Sequence, residues 1–344
     1  MKIPFIKLHG LGNDWLAVAA EDLGPLRARE KTGSRAVPRR LSMLPDLARA
    51  ICDRHTGIGA DGLIIATTSA SLQSEFLSEE ARPKRARRIL LAGADDEQRG
   101  DAQVRFFNAD GSEAEMSGNG IRCAAAFLQV RSGSNLGYAA AETASNALPR
   151  LRPLRILTVS GVRSVVRVSG RSSAWVFRAT MGSPVLDPAK IPFGSHDLSA
   201  PIIDFSLRLS GATLPVTVTS MGNPHCSVFV DDFQNLDWQA LGREIERHPL
   251  FPKRTNVEFV KVVSRKEIDV RFWERGVGET QSSGTGSCAA VVACILKRAT
   301  GRAVRVDTVA GSLEVAWPQD DEVSLTGPVA VIAEGTYYYR VPLE

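Results

Sequence analysis

The chain has 344 residues, 44% of them hydrophobic and 23% charged, with 42 basic against 38 acidic side chains and a net charge of +4. That length suits two domains with large cores, and the ordinary globular composition excludes a disordered or fibrous chain. The near balance of charge argues against nucleic-acid binding, which needs a concentrated basic face, and no apolar run of about 18 residues is present to span a membrane.

Five cysteines occur, Cys52, Cys123, Cys226, Cys288 and Cys294, with no CxxC pair. An odd, scattered set argues against a disulfide framework or a zinc site and predicts a cytoplasmic protein. The first residues, MKIPFIKLHGLGND, lack the apolar core of a signal peptide.

In chain order, residues 3–8 read as a strand, a turn follows over 9–14, and residues 15–20 resume an apolar run, the pattern of a hairpin. Asn13 and Asn13's neighbour Asp14 are either turn formers or groups aimed into a cleft. Residues 21–40 are polar and rich in Arg and Pro, and read as a loop. Residues 44–53 carry helical apolar spacing and end in the glycine-dense loop 54–62, followed by a short buried strand over 63–66. Residues 67–102 read as a surface insertion with a basic run and then an acidic patch.

Residues 105–127, RFFNADGSEAEMSGNGIRCAAAF, join an aromatic strand end to a polar turn, a Ser-Gly-Asn-Gly and an apolar helix. The same grammar returns over 270–292, VRFWERGVGETQSSGTGSCAAVV. Asn108 lies nine residues before Ser117, and Glu274 lies nine before Ser283. A helix N-terminus presents unpaired N–H groups and a partial positive charge, so it suits a carboxylate or phosphate, and glycine lets the ligand approach. Each serine is either an ordinary helix cap or a group facing the ligand. The duplication favours two mirror-like halves serving one site.

Residues 133–153 are small and polar and read as a linker. Strands are predicted over 155–168, 174–180, 216–220, 226–230 and 255–260, and a helix over 237–246 with Asp237 as its cap. Further strands are predicted over 312–316, 322–325 and 329–339, with Gly327-Pro328 as a break between the last two. Many short strands with few helices, and no regular strand–helix alternation, predict an α+β fold with mostly antiparallel sheets around two central helices.

The segments HGLGND (9–14), GIGADG (57–62), FNADGSEAEMSGNG (107–120), GNPH (222–225) and ERGVGETQSSGTGSCAA (274–290) together resemble the diaminopimelate epimerase family, in order along the whole chain apart from 67–102. The resemblance implies two pseudo-symmetric domains, each a barrel-like sheet around a central helix. These would be residues 1–150 with the C-terminal strand 328–344, and residues 151–327. It implies interconversion of LL- and meso-diaminopimelate for lysine and peptidoglycan precursors, without cofactor or metal, in a homodimer for which the strand 329–339 is a candidate edge. No nucleic-acid or membrane partner is expected.

It further implies substrate-binding roles for Asn13, Asn108, Gly118, Asn119, Asn223, Asn256, Glu274, Arg275, Gly284 and Thr285, and assisting roles for His225 and Glu274. The chain departs from the family at Ser117 and Ser283, where the family carries its two catalytic cysteines. It also departs at Gly62, where a glutamine is usual. A serine hydroxyl is a far weaker acid than a thiol, whose ordinary pKa is about 8.5. Three readings stay open: an epimerase with impaired chemistry, an isomerase of another carboxylated substrate using Glu274 or His225, and a non-catalytic amino-acid-binding protein.

Overall fold

The computed structural model describes residues 1–24, 29–32, 35–38, 43–68, 100–114, 116–132, 153–171, 173–194, 199–319 and 322–340. Most of the segment 67–102 and nearly all of 133–153 lie outside the described residues. The chain divides into two units, Met1–Phe177 with Pro328–Glu344, and Arg178–Gly327.

The first unit opens with β1 (Lys2–Gly10) and β2 (Asn13–Ala19), joined by a two-residue turn at Leu11 and Gly12, both with positive φ. A 3₁₀ turn over Ala20–Leu23 and the hairpin β3 (Arg29–Thr32) and β4 (Arg35–Pro38) follow. Residues 21–40 are therefore not the plain loop that their polarity suggests: β-pairing of backbone groups needs no apolar face, so composition did not reveal it. Helix α1 (Leu44–Cys52) buries Leu44, Leu47, Ala48 and Ile51, the i, i+3, i+4, i+7 stripe of a helix lying on a sheet.

Next come β5 (Gly62–Thr67), β6 (Ala102–Asn108), the short β7 (Glu113–Ala114), helix α2 (Gly118–Arg131), β8 (Leu154–Thr158), β9 (Gly161–Arg171) and β10 (Ala174–Gly182). Strand β1 pairs antiparallel with β2, β2 parallel with β5, β5 antiparallel with β6, β6 parallel with β8, and β8 antiparallel with β9. Then β9 pairs with β10, β10 with the chain's last strand β19 (Val323–Tyr338), and β19 with β1, closing an eight-stranded barrel. Inside it, α2 is buried from Gly118 to Gln129. A helix surrounded by strands has no face left for water, and the run Ala124-Ala125-Ala126 lets the sheet come close.

The second unit repeats the order. Strand β11 (Ile202–Arg208) pairs with β12 (Thr213–Ser220), which pairs antiparallel with β13 (Pro224–Phe229). Helix α3 (Trp238–Glu246) intervenes, and Asp237 caps it, its carboxylate accepting the Ala240 N–H at 3.0 Å. Strand β14 (Asn256–Ser264) runs parallel to β13 and antiparallel to β15 (Glu267–Glu274). The short β16 (Gly278–Thr280) leads into helix α4 (Gly284–Leu296), buried from Gly286 to Cys294, and then β17 (Ala303–Thr308) and β18 (Gly311–Ala316). Strand β15 pairs parallel with β17, β17 antiparallel with β18, and β18 with the start of β19. The fold is α+β, with a mostly antiparallel sheet around a central helix in each unit.

Two expectations are corrected at β19. Gly327-Pro328 does not break it: the strand pairs with β18 as far as Thr326 and with β1 from Ala330 onward. Pro328 thus sits between the two ladders, where its missing N–H costs no hydrogen bond. Residues 329–339 are also not a free edge for a second copy, since they pair with β1 and β19 pairs with β10 as well. Among the described residues no helix is long and apolar enough to cross a membrane.

Candidate active site

In the first unit Ser117 is the N-cap of α2, its Oγ accepting the Gly120 N–H at 3.0 Å. In the second, Ser283 is the N-cap of α4 and accepts the Gly286 N–H at 3.3 Å. Both serines therefore cap their helices. A hydroxyl that accepts one hydrogen bond still has a proton to give. The glycine three residues on is required in both places: a Cβ at Gly120 would lie 2.9 Å from the Phe106 ring, and one at Gly286 2.9 Å from the Phe272 ring. The aromatic strand ends thus press each helix start against its strand.

Around Ser117, the Asn119 Oδ1 accepts from Arg122 Nη2 at 2.6 Å, and the Gly118 carbonyl accepts from Arg122 Nη1 at 2.8 Å. Arg122 is fully buried and places a cation just inside the helix N-terminus, adding to the positive end of the dipole. Asn13 lies at the start of β2. Its Oδ1 accepts from Trp15 Nε1 at 2.6 Å and its Nδ2 donates to Asp61 Oδ2 at 2.9 Å. Asp61 also accepts from Arg54, and Arg54 and Lys7 both bind Asp14. Burial pushes the Asp14 carboxyl up, but its bonds to Arg54 and Lys7 hold it below the usual range. Asn108 is exposed at the end of β6, with its Nδ2 donating to Ser112 Oγ at 2.9 Å.

Gly62 opens β5 opposite Trp15. A Cβ there would lie 2.4 Å from the Trp15 ring and 2.7 Å from the Phe107 carbonyl oxygen. The indole fills the space a longer residue would need, so no glutamine fits at this position.

In the second unit His225 is fully buried, and both ring nitrogens are engaged. Nδ1 meets Glu258 Oε1 at 2.6 Å, and Nε2 meets Asn223 Oδ1 at 2.9 Å. Burial pushes the Glu258 carboxyl up, with His225 and Ser227 pulling partly back. Burial likewise raises Glu274. Its opposing partners are Thr280, whose Oγ1 donates to Oε1 at 2.7 Å, nearby His225 and the Ser283 hydroxyl, while Glu258 adds to the rise. Ser283, Glu274 and Thr280 thus form one cluster, with a carboxyl that holds its proton more readily than usual.

Asn256 is buried and cross-links the chain: its Nδ2 donates to the Pro224 carbonyl at 3.1 Å, and its Oδ1 accepts the Arg275 N–H at 3.0 Å. Glu246 on α3 fixes the same turn by accepting from Trp273 Nε1 and the Gly276 N–H, each at 2.9 Å. Arg275 is exposed, Gly284 buried and Thr285 partly buried at the start of α4.

No thiol replaces the serines. All five cysteines are buried, burial pushes Cys123 up to about 12, and burial and Glu258 together raise Cys226 well above its ordinary value. Sequence reasoning missed Asp61, Arg122 and Glu258. The signal in each case was a charged residue inside an apolar or glycine-rich run, GADG, GIRCA and NVEFV.

The model of the family described as diaminopimelate epimerase matches residues 5–146 and 217–332. A diaminopimelate epimerase of Pelotomaculum thermopropionicum is 37% identical over 336 residues, covering 98% of this chain and 99% of that protein. One from Moorella thermoacetica is 38% identical over 335 residues, covering 97% and 98%. Among solved structures, a probable proline racemase from Agrobacterium radiobacter K84 superposes with a TM-score of 0.59 at 15% identity, over 99% of this chain and 93% of that one. A Bacillus anthracis phenazine biosynthesis protein of the PhzF family gives 0.55 at 13% identity, over 98% and 100%. These two likenesses concern the fold. The relatives decide the lineage: the chain belongs to the diaminopimelate epimerase family.

Proposed function

We propose that this chain is a cofactor-independent amino-acid isomerase that binds diaminopimelate and acts at its α-carbon, with proton transfer slowed by Ser117 and Ser283. The observation that supports it most is the repeated helix start, a serine-capped, glycine-lined N-terminus on a buried helix in each unit. Each can receive a carboxylate or the charge that develops when the α-proton leaves. Inversion needs a base on one face of the carbon and an acid on the other, and the resemblance puts those groups at positions 117 and 283. A thiol at a helix N-terminus ionises near neutral pH, whereas a serine hydroxyl does not unless a neighbour takes its proton. Recognition is retained and turnover is low. A homodimer in the cytoplasm belongs to the same reading and rests on the family resemblance.

One observation favours a second reading. Glu274 is half-buried and touches Ser283 and Thr280, so a carboxyl with a raised pKa can act as the base on another carboxylated substrate. Calorimetry with LL- and meso-diaminopimelate, followed by chiral analysis of the incubated ligand, separates the two. Binding of diaminopimelate with slow interconversion supports the first. No binding of either isomer, with turnover of another amino acid that Glu274→Gln abolishes, supports the second and rejects the first.

A further inference from the structure

Asn13 and Asn223 occupy the same place in the repeat, at the turn into β2 and β13, and each bonds through Oδ1 to the residue two positions on. In the first unit that residue is Trp15, whose indole N–H can only donate. Asn13 must therefore receive the bond on its oxygen, with its NH₂ pointing the other way, to Asp61. In the second unit the residue is His225, at 2.9 Å, and an imidazole nitrogen can donate or accept. Tryptophan needs no help to be a donor, but histidine does.

The strand registers show where help comes from. Trp15 faces Gly62 across β2 and β5, and His225 faces Asn256 across β13 and β14. Two residues further along the second strand stand Ile64 and Glu258. Ile64, near the tryptophan, is fully buried and apolar. Glu258, near the histidine, is a buried carboxyl 2.6 Å from Nδ1, with Ser227 Oγ at 3.5 Å on its other oxygen. A buried carboxyl in an apolar strand is costly unless it has a partner, and its place in the repeat matches the one unit that uses histidine.

We infer that Glu258 is a positioning residue: by bonding Nδ1 it keeps the proton on His225 Nε2, which then donates to Asn223 Oδ1 and turns the Asn223 NH₂ outward as a ligand donor. His225 acts as Trp15 does, as an N–H clamp on an asparagine, and has no ring nitrogen left for proton transfer to substrate. The Asn223 oxygen can only accept, so its bond requires hydrogen on Nε2. The Nδ1 contact then pairs a carboxylic acid with a neutral ring or a carboxylate with an imidazolium, whereas a carboxylate facing a neutral ring protonated on Nδ1 would leave Nε2 bare and break the bond to Oδ1. The ligand named in the test rests on the proposed function; the state of the ring does not.

The experiment uses the full chain with ¹⁵N-labelled histidine, reading the His225 ring nitrogens by NMR, alongside calorimetry with meso-diaminopimelate. In the native chain Nε2 reads as protonated. Glu258→Gln, whose amide N–H can donate to Nδ1, keeps Nε2 protonated and holds affinity within about twofold, while Glu258→Leu loses the fixed tautomer and about tenfold in affinity. Asn223→Asp, which presents oxygen instead of NH₂, binds more weakly with the ring unchanged. An unprotonated Nε2 in the native chain overturns the inference, whether or not the leucine variant folds. So does a Glu258→Leu chain with full affinity. If the native chain binds no diaminopimelate, the proposed substrate fails, and the ring signal alone decides the role of Glu258.

Discussion

Glu274 and Glu258 are two carboxyls of the second unit that the fold holds away from their ordinary state. Burial raises both carboxyls. The folded chain therefore binds these protons more tightly than the unfolded chain, so the stability they contribute is full below the ordinary carboxyl range, near 4.5, and is lost as pH rises through the raised folded values. Glu274→Gln should lose less stability than the native chain in denaturant melts as the pH rises above the ordinary carboxyl value of 4.5. An equal loss in both chains would show that Glu274 ionises in the fold as freely as it does in water. At this scale the sequence was legible where a residue carried its own signature. Ser117 and Ser283 read as either helix caps or ligand-facing groups, and the capping bonds are present. Glu258, Asp61 and Arg122 were illegible because each acts through a partner 3 to 48 positions away, a pairing that only the strand registers or the helix turn bring about.

The elements owe their positions to a few tight contacts. Gly120 and Gly286 let the Phe106 and Phe272 rings lie against the helix starts, and a methyl group at either site meets an aromatic carbon at 2.9 Å. Gly286→Ala should destabilise the chain by about 1–3 kcal/mol, through overpacking, and displace the Ser283 cap. A thermal melt checks the first effect, and unchanged stability would mean that the ring moves aside freely. Asp237→Ala should cost about 1 kcal/mol by removing the N-cap of α3, seen as a lower denaturation midpoint. Helix α1 was legible from its apolar stripe, α3 with Asp237 as its cap, and α2 and α4 from glycine-led apolar runs. The hairpin of β3 and β4 and the unbroken course of β19 were not. Polar residues hid the first, and Gly327-Pro328 imitated a stop where the strand changes partners.

At the scale of the molecule, a single pattern is used twice. A hairpin, a parallel step across a short helix, an antiparallel return, a buried helix and a further parallel step occur in the same order in each unit. The duplication was readable from two stretches with matching spacing. The topology beneath it was not, because pairing partners such as β6 with β8 and β15 with β17 are separated by a whole helix. The repeat also shows where the units diverge: Trp15 and Ile64 in one, His225 and Glu258 in the other, and Asn108 against Glu274 at the strand ends.

The central claim is that both units keep their recognition groups while the two serines restrict proton transfer. Deuterium incorporation at the α-carbon of LL- and meso-diaminopimelate in heavy water tests it directly, comparing the native chain with the double variant Ser117→Cys/Ser283→Cys at equal ligand saturation. The double variant is expected to exchange and epimerise at least about a hundredfold faster, the low end of what a positioned acid–base group contributes. Exchange by the native chain at the rate of the double variant would contradict it.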